Sequence, residues 1–296
     1  MLATASLLAH TADLNLVIRH VLAGLGHGLH AGRERGAGVE FSEYRAYVPG
    51  DEWRRVDWKL LARVDRYYVR EAERDSHVAI WLLLDTSASM AEPSRRVEGL
   101  TKLWFARTVL GCIAAIAQRQ GDAFGLIMAG GERVDFTPAA RGPRQLHRVL
   151  AQLSRAEARG GLPDEASLRA SLHFARSPSL IFAVSDFLDW PSPLSEMLLR
   201  LRHLQHDVRL LSLSTEAEEQ ASFDGTTAFR DPEQPPSGGL YRFNAAARAA
   251  YRRARGAHVD AVSTQCRQHD LPLLSAPIEH ALGSTLRAWL QQAGRP

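Results

Sequence analysis

The residues that decide the fold are Val78-Ala-Ile-Trp-Leu-Leu-Leu84, followed at once by Asp85-Thr-Ser87-Ala-Ser89. An unbroken apolar run of this length, without polar alternation, marks a strand covered on both faces, as the strands of a parallel sheet are. It falls far short of the ~20 residues that span a bilayer. The loop behind it carries a carboxylate and two hydroxyls at alternate positions.

Beyond this strand the chain alternates between two patterns. Residues 97–120 read as a long helix that stops at Gly121-Asp122, and 123–128 as a second buried strand. A short strand at 133–136, helices at 143–153 and 166–175, a strand at 180–184, a helix at 194–204 and a strand at 208–213 follow. This alternation predicts an α/β fold: a doubly wound, mainly parallel sheet with helices on both faces, Rossmann-like in its winding. Residues 214–239 are polar and rich in Pro, Gly and Glu, and read as a surface insertion. A long arginine-rich helix is expected over 243–269, an edge strand over 271–274 and a terminal helix over 278–292.

Upstream of the strand the composition is different. Residues 14–25 have apolar positions at near-helical spacing and end in Gly24-Leu-Gly26-His-Gly28. Residues 32–75 are dense in Arg, Asp, Glu and aromatics, with a Pro49-Gly50 turn and β-prone stretches around Tyr44 and Tyr67. So charged a segment cannot make a large core alone. The expected division is a helix and β-rich extension over 1–75, packed on an α/β domain over 76–296.

With 296 residues, 45% hydrophobic and 23% charged, the chain is long enough to bury a sizeable core and is not globally disordered. Thirty-six basic against thirty-three acidic side chains leave a net charge of +3, which is no polycation. Only Lys59 and Lys102 among the basic residues are lysines. Arginines mixed with this many acids form surface ion pairs more readily than a nucleic-acid footprint. Arg248, Arg252, Arg253 and Arg255 on the long C-terminal helix could meet phosphates, though a solvated helix face is the safer reading. Two cysteines, Cys112 and Cys266, make neither a disulfide framework nor a zinc site. The first ten residues lack the positive start of a signal peptide, so a cytoplasmic protein is expected.

In a doubly wound sheet, ligands bind beyond the carboxyl ends of the strands, where the strand order reverses. Asp85, Ser87 and Ser89 leave one such end, and Asp186 leaves another in Val184-Ser185-Asp186. If those strands are neighbours, the two carboxylates meet at one mouth. Hard oxygen donors of this kind suit Mg²⁺ or Mn²⁺ with waters completing the octahedron, rather than zinc. Asp and Ser also cap turns and helices, so the loop alone leaves a metal site and a capped turn equally open. A metal-assisted hydrolase using Asp85 and Asp186 would need a general base and a phosphate cradle, and the sequence displays neither. Arg54, Asp57, Trp58 and Arg63 read either as a docking surface or as an ion-pair and Arg–aromatic network that fixes the extension.

Two sets of residues carry a family resemblance. The strand followed by Asp85-x-Ser87-x-Ser89, with Asp186 after a later strand, resembles a von Willebrand factor A domain and its metal-ion-dependent adhesion site. The segment before it is more specific. Gly36-Ala-Gly-Val-Glu40-Phe41, Arg45-Ala-Tyr47-Val-Pro49-Gly50-Asp51, Arg54-Arg-Val-Asp57-Trp58-Lys59 and Ala62-Arg63 resemble the signature of the bacterial domain-of-unknown-function 58 family. The resemblance runs from about Gly26 to Ser89 and more loosely to about Leu213. It implies a factor A-like fold without enzymatic activity, commonly associated with AAA+ ATPases of the MoxR type in protein assembly or maturation. Longer members carry N-terminal membrane spans, which this sequence lacks. The resemblance makes Ser87 and Ser89 direct metal ligands, Asp85 a ligand through water, and Asp186 the closing residue. A partner's Glu or Asp would then complete the coordination of a cation that keeps an open position. The family's third loop places a threonine after a glycine pair. Here Gly160-Gly161 is followed by Leu162-Pro163-Asp164-Glu165, leaving Asp164 or Ser167 as substitutes through a shifted loop.

Overall fold

A computed structural model describes residues 13–29, 43–47, 58–64, 66–71, 78–131, 133–171, 178–223, 228–229, 241–242 and 244–292. The chain divides into two units, one spanning Leu29–His77 and the other joining Met1–Gly28 to Val78–Pro296. The latter opens with helix α1 (Leu14–Leu29), started by Asp13, whose carboxylate accepts the Asn15 backbone N–H. The smaller unit holds strand β1 (Glu43–Ala46), helix α2 (Trp58–Val64) and strand β2 (Tyr68–Glu71). Its two strands pair antiparallel, Tyr44 opposite Arg70 and Ala46 opposite Tyr68, as the β-prone stretches predict.

The α/β unit resumes with β3 (Ala79–Asp85), α3 (Lys102–Gln120), β4 (Phe124–Gly130), β5 (Arg133–Ala140), α4 (Pro143–Arg155), α5 (Glu165–Ser171) and β6 (Ser179–Ser185). It continues through α6 (Pro193–His203), β7 (Asp207–Ser214), α7 (Glu216–Gln220), β8 (Ala228–Phe229), β9 (Tyr241–Arg242), α8 (Ala245–Gln268), β10 (Leu273–Pro277) and α9 (Leu282–Gln291). Six strands form one sheet in the order β10-β7-β6-β3-β4-β5, parallel except for the β4–β5 edge pair. The chain winds first toward β4 and β5, then returns across β3 to β6, β7 and β10. That reversal makes the sheet doubly wound, as the alternation of strands and helices predicts, and it places the switch point between β3 and β6.

Alternation along each strand fills two cores, one on either face of the sheet. Ile80, Leu82 and Leu84 of β3 face a core shared with α1, α3, α4 and α9, while Trp81 and Leu83 face one shared with α5, α6 and α8. Helix α3 is buried over most of its length, Cys112 included. Helix α1, which the sequence groups with the extension, adds Leu14, Val17, Ile18, Val21 and Leu22 to the first of these cores. Gly111 is where α1 comes closest: a Cβ there would lie 2.5 Å from Ile18 Cδ1.

Among the boundaries that differ from expectation are the starts of two helices, and the strand expected over 133–136 runs on to Ala140. The helix expected from residue 97 starts at Lys102, because Gly99 turns the chain at φ 76° and Thr101 caps the helix, its hydroxyl accepting the Trp104 N–H at 3.0 Å. The terminal helix expected from 278 starts at Leu282, because β10 carries the chain on to Pro277. Among the described residues, no helix is long and apolar enough to cross a membrane.

Candidate functional site

Strands β3 and β6 are parallel neighbours with Leu84 opposite Val184, so Asp85 and Ser185-Asp186 emerge at the same mouth. Asp85 is buried, and each of its carboxylate oxygens accepts a hydrogen bond. The Ser87 backbone N–H donates to Oδ1 at 2.8 Å and the Ser185 hydroxyl to Oδ2 at 2.5 Å. Burial pushes the Asp85 carboxyl up to about 6, and the negative charge of Asp186 adds to the rise. The hydrogen bonds from Ser185 and Ser87 pull the other way without offsetting it. The Ser87 and Ser89 hydroxyls lie 3.1 Å apart and line a cleft with Asp85, Leu162, Asp186, Leu188 and Asp189.

The loop from Asp186 to Asp189 is held firmly. The Phe187 N–H donates to the Ser185 hydroxyl at 2.9 Å, the Leu188 N–H to Asp186 Oδ1 at 3.3 Å, and His258 Nε2 meets the Phe187 carbonyl at 2.8 Å. Phe187 adopts φ 50°, a left-handed conformation that a bulky residue takes only under constraint. Its ring is buried edge-on against Trp190 at 5.6 Å, while Leu188 next to it is 52% exposed.

The glycine-pair loop meets the first loop through the backbone. The Ala88 N–H donates to the Gly160 carbonyl at 2.7 Å and the Arg159 N–H to the Thr86 carbonyl at 2.9 Å. Gly160 sits at φ 55°, where a residue without Cβ is favoured. This docking brings Leu162 into the cleft. Asp164 instead begins α5, accepting the Ser167 backbone N–H at 2.8 Å, and neither Asp164 nor Ser167 lines the cleft.

Two residues the sequence reading did not single out lie on the other side of Asp186, in a neighbouring cavity that also takes in Phe187, Leu188 and His258. Lys102, the first residue of α3, is 1% exposed. Its ammonium donates to Asp186 Oδ2 at 3.0 Å and to Glu218 Oε1 at 2.7 Å. Burial lowers the lysine's pKa, but Asp186 and Glu218 together outweigh it and the net direction is upward. Glu218 belongs to α7, inside the stretch expected to be a surface insertion. It forms a capping box with Thr215, each side chain bonded to the other's backbone N–H. Thr215-x-x-Glu218 is the sequence signature of such a helix start, and was the available signal. Helix α7 is fastened from other directions too: Glu216 accepts two bonds from Arg96, and Arg252 and Arg248 donate to the Gln220 and Phe223 carbonyls. Those two arginines, read as candidates for phosphate, hold this segment instead.

These residues do not fit the expected Mg²⁺ or Mn²⁺, which want about six oxygens at short distance. Both Asp85 oxygens already accept hydrogen bonds, and Asp186 Oδ2 carries an ammonium that would repel a second cation. The third loop contributes the methyl groups of Leu162 in place of an oxygen donor. Among the described residues, no group of three or more His, Cys, Asp or Glu is placed to hold a metal ion. Of the docking residues expected on the extension, Trp58 and Arg63 are exposed on α2, while Arg54 and Asp57 lie outside the described residues.

The family described as protein of unknown function DUF58 matches residues 43–261. An uncharacterized protein of Mycobacterium tuberculosis is 30% identical over 279 residues, covering 91% of this chain and 84% of its own. Among solved structures, an aerotolerance-related membrane protein from Bacteroides fragilis aligns at 13% identity over 73% of this chain and 98% of that one, with a TM-score of 0.44. The conserved hypothetical protein BatB from Bacteroides thetaiotaomicron aligns at 10% identity over 73% and 100%, with a TM-score of 0.42.

Proposed function

The chain belongs to the DUF58 family, and from that premise we propose that it is a non-enzymatic interaction module that docks a protein partner at the carboxyl edge of its sheet. The observation that carries this reading is the clamped Asp186–Asp189 loop. A buried ring and three hydrogen bonds hold Phe187 left-handed, so that Leu188 projects from a fixed platform beside the polar floor of Ser87, Ser89 and Asp186. Strain held in place at the switch point of a doubly wound sheet is a feature of binding sites. Hydrolysis finds no comparable support. The histidine that reaches this loop, His258, is committed to a carbonyl rather than to a serine.

The partner class we assign, on the family resemblance, is an AAA+ ATPase of the MoxR type. The test is biolayer interferometry between the purified chain and the MoxR-type ATPase of the same bacterium, with Leu188→Asp and Ser89→Arg as variants. The expected result is saturable binding that each variant weakens at least about tenfold while melting unchanged, as central interface residues do. Equal binding by wild type and both variants would remove the site from the reading, and no binding would remove the partner.

A further inference from the structure

The poor fit of a divalent ion and the burial of Lys102 are two sides of one arrangement. A lysine at the first position of a helix faces the positive end of the helix dipole, and a lysine 1% exposed has lost its hydration. Both effects oppose an ammonium there. It is held because two carboxylates reach it from separate elements, Asp186 from the β6–α6 loop and Glu218 from α7. The residue type also matters. In a chain whose basic residues are otherwise almost all arginine, a compact point charge with three donors stands where a planar fork would not fill the same role. Asp186 is the residue that would close a cation site on the side opposite Asp85, and it spends its Oδ2 on this ammonium.

Resting on the docking reading above, we propose that Lys102 stands in for a divalent ion at Asp186: from the cavity on the other side of that carboxylate, its ammonium takes up the Oδ2 that an ion in the cleft would use. The cleft therefore works without metal. Lys102 positions Asp186, and through it the clamped Phe187-Leu188 loop, while Glu218 ties α7 to the same charge.

The test is calorimetric titration of Mn²⁺ and Mg²⁺ into the full-length chain and into Lys102→Met. Wild type is expected to give no saturable binding up to millimolar concentrations. Lys102→Met is expected to gain saturable binding, at least about tenfold tighter than any wild-type response, because Asp186 is released and the repelling charge is gone. Adding Ser89→Ala to Lys102→Met is expected to abolish the gain, locating it in the cleft. If the single variant does not fold, Lys102→Met/Glu218→Gln, which removes the ammonium together with one facing carboxylate, carries the same comparison. Saturable wild-type binding that Ser87→Ala or Ser89→Ala abolishes overturns the proposal. So does a folded Lys102 variant that gains no metal affinity. The titration needs no partner, so a failed partner screen leaves it standing, and a failed titration leaves the docking reading to its own test.

Discussion

At the scale of single residues, the mouth of the sheet is governed by charges removed from water. A buried ammonium is tolerated only while its carboxylates remain, and removing one side of such a pair costs about 3–5 kcal/mol. Lys102→Met is expected to lose stability in that range in urea titrations at neutral pH, whereas Arg96→Ala, whose partner Glu216 is part-exposed, should lose under about 1 kcal/mol. Equal losses would show that burial does not separate the two pairs. Asp85 makes a pH-dependent prediction. Its folded pKa of about 6 lies above the ordinary 3.8, so the native state binds this proton more tightly than the unfolded chain does. The stability this provides is complete below the lower value and is lost as pH rises through the higher one. Asp85→Asn carries no such term, so its stability relative to wild type should improve by about 3 kcal/mol between about pH 4 and about pH 7. A difference that stays flat across that window would mean Asp85 is not perturbed. Asp85, Ser87, Ser89 and Asp186 were legible in the sequence because each follows a buried strand directly. Lys102 was not, because its carboxylates lie 84 and 116 residues further along, and charge pairing over such distances leaves no local pattern.

At the scale of elements, the site loops are positioned by backbone contact as much as by side chains. Gly130 ends β4 against the first loop, and a Cβ there would lie 2.5 Å from both the carbonyl carbon and the oxygen of Thr86. Backbone cannot yield as a flexible side chain does. Gly130→Ala is therefore expected to cost more than the about 1–3 kcal/mol of ordinary overpacking, and to raise amide exchange at Thr86–Ser89 specifically. Unchanged exchange there would show that the loop does not depend on β4 for its place. The strands and most helices could be read from periodicity because burial on both faces dictates unbroken apolar runs. The misread start of α3 shows the limit of that signal. Val97 and Leu100 are buried in the same core as the helix and continue its apolar pattern, yet Gly99 and the Thr101 cap end that register before the helix begins. The antiparallel direction of β5 left no trace in composition, because alternation fixes which face a residue takes and not which way its strand runs.

At the scale of the whole molecule, the α/β unit is discontinuous in sequence. The change in composition before Val78 marks one of its limits. The other falls between α1 and the charged residues that follow, and a reading by average composition merged the two across 1–75. The helix is set apart by its apolar face, which provides five side chains to the core shared with α3, α4 and α9. Each of those is worth about 1.5–3 kcal/mol when fully buried, an amount comparable in sum to the net stability of a domain. The sheet is therefore expected to depend on α1 more than on residues 30–76. Replacing them with a flexible Gly/Ser linker of about 20 residues should leave one cooperative thermal transition by circular dichroism. A chain beginning at Val78 should instead melt at least about 10 °C lower, with the exposed α3 surface binding a hydrophobic dye before the transition. Equal melting of the two truncations would mean that α1 adds nothing to the unit, and collapse of both would make Leu29–His77 a requirement for folding rather than an insertion between two parts of one core.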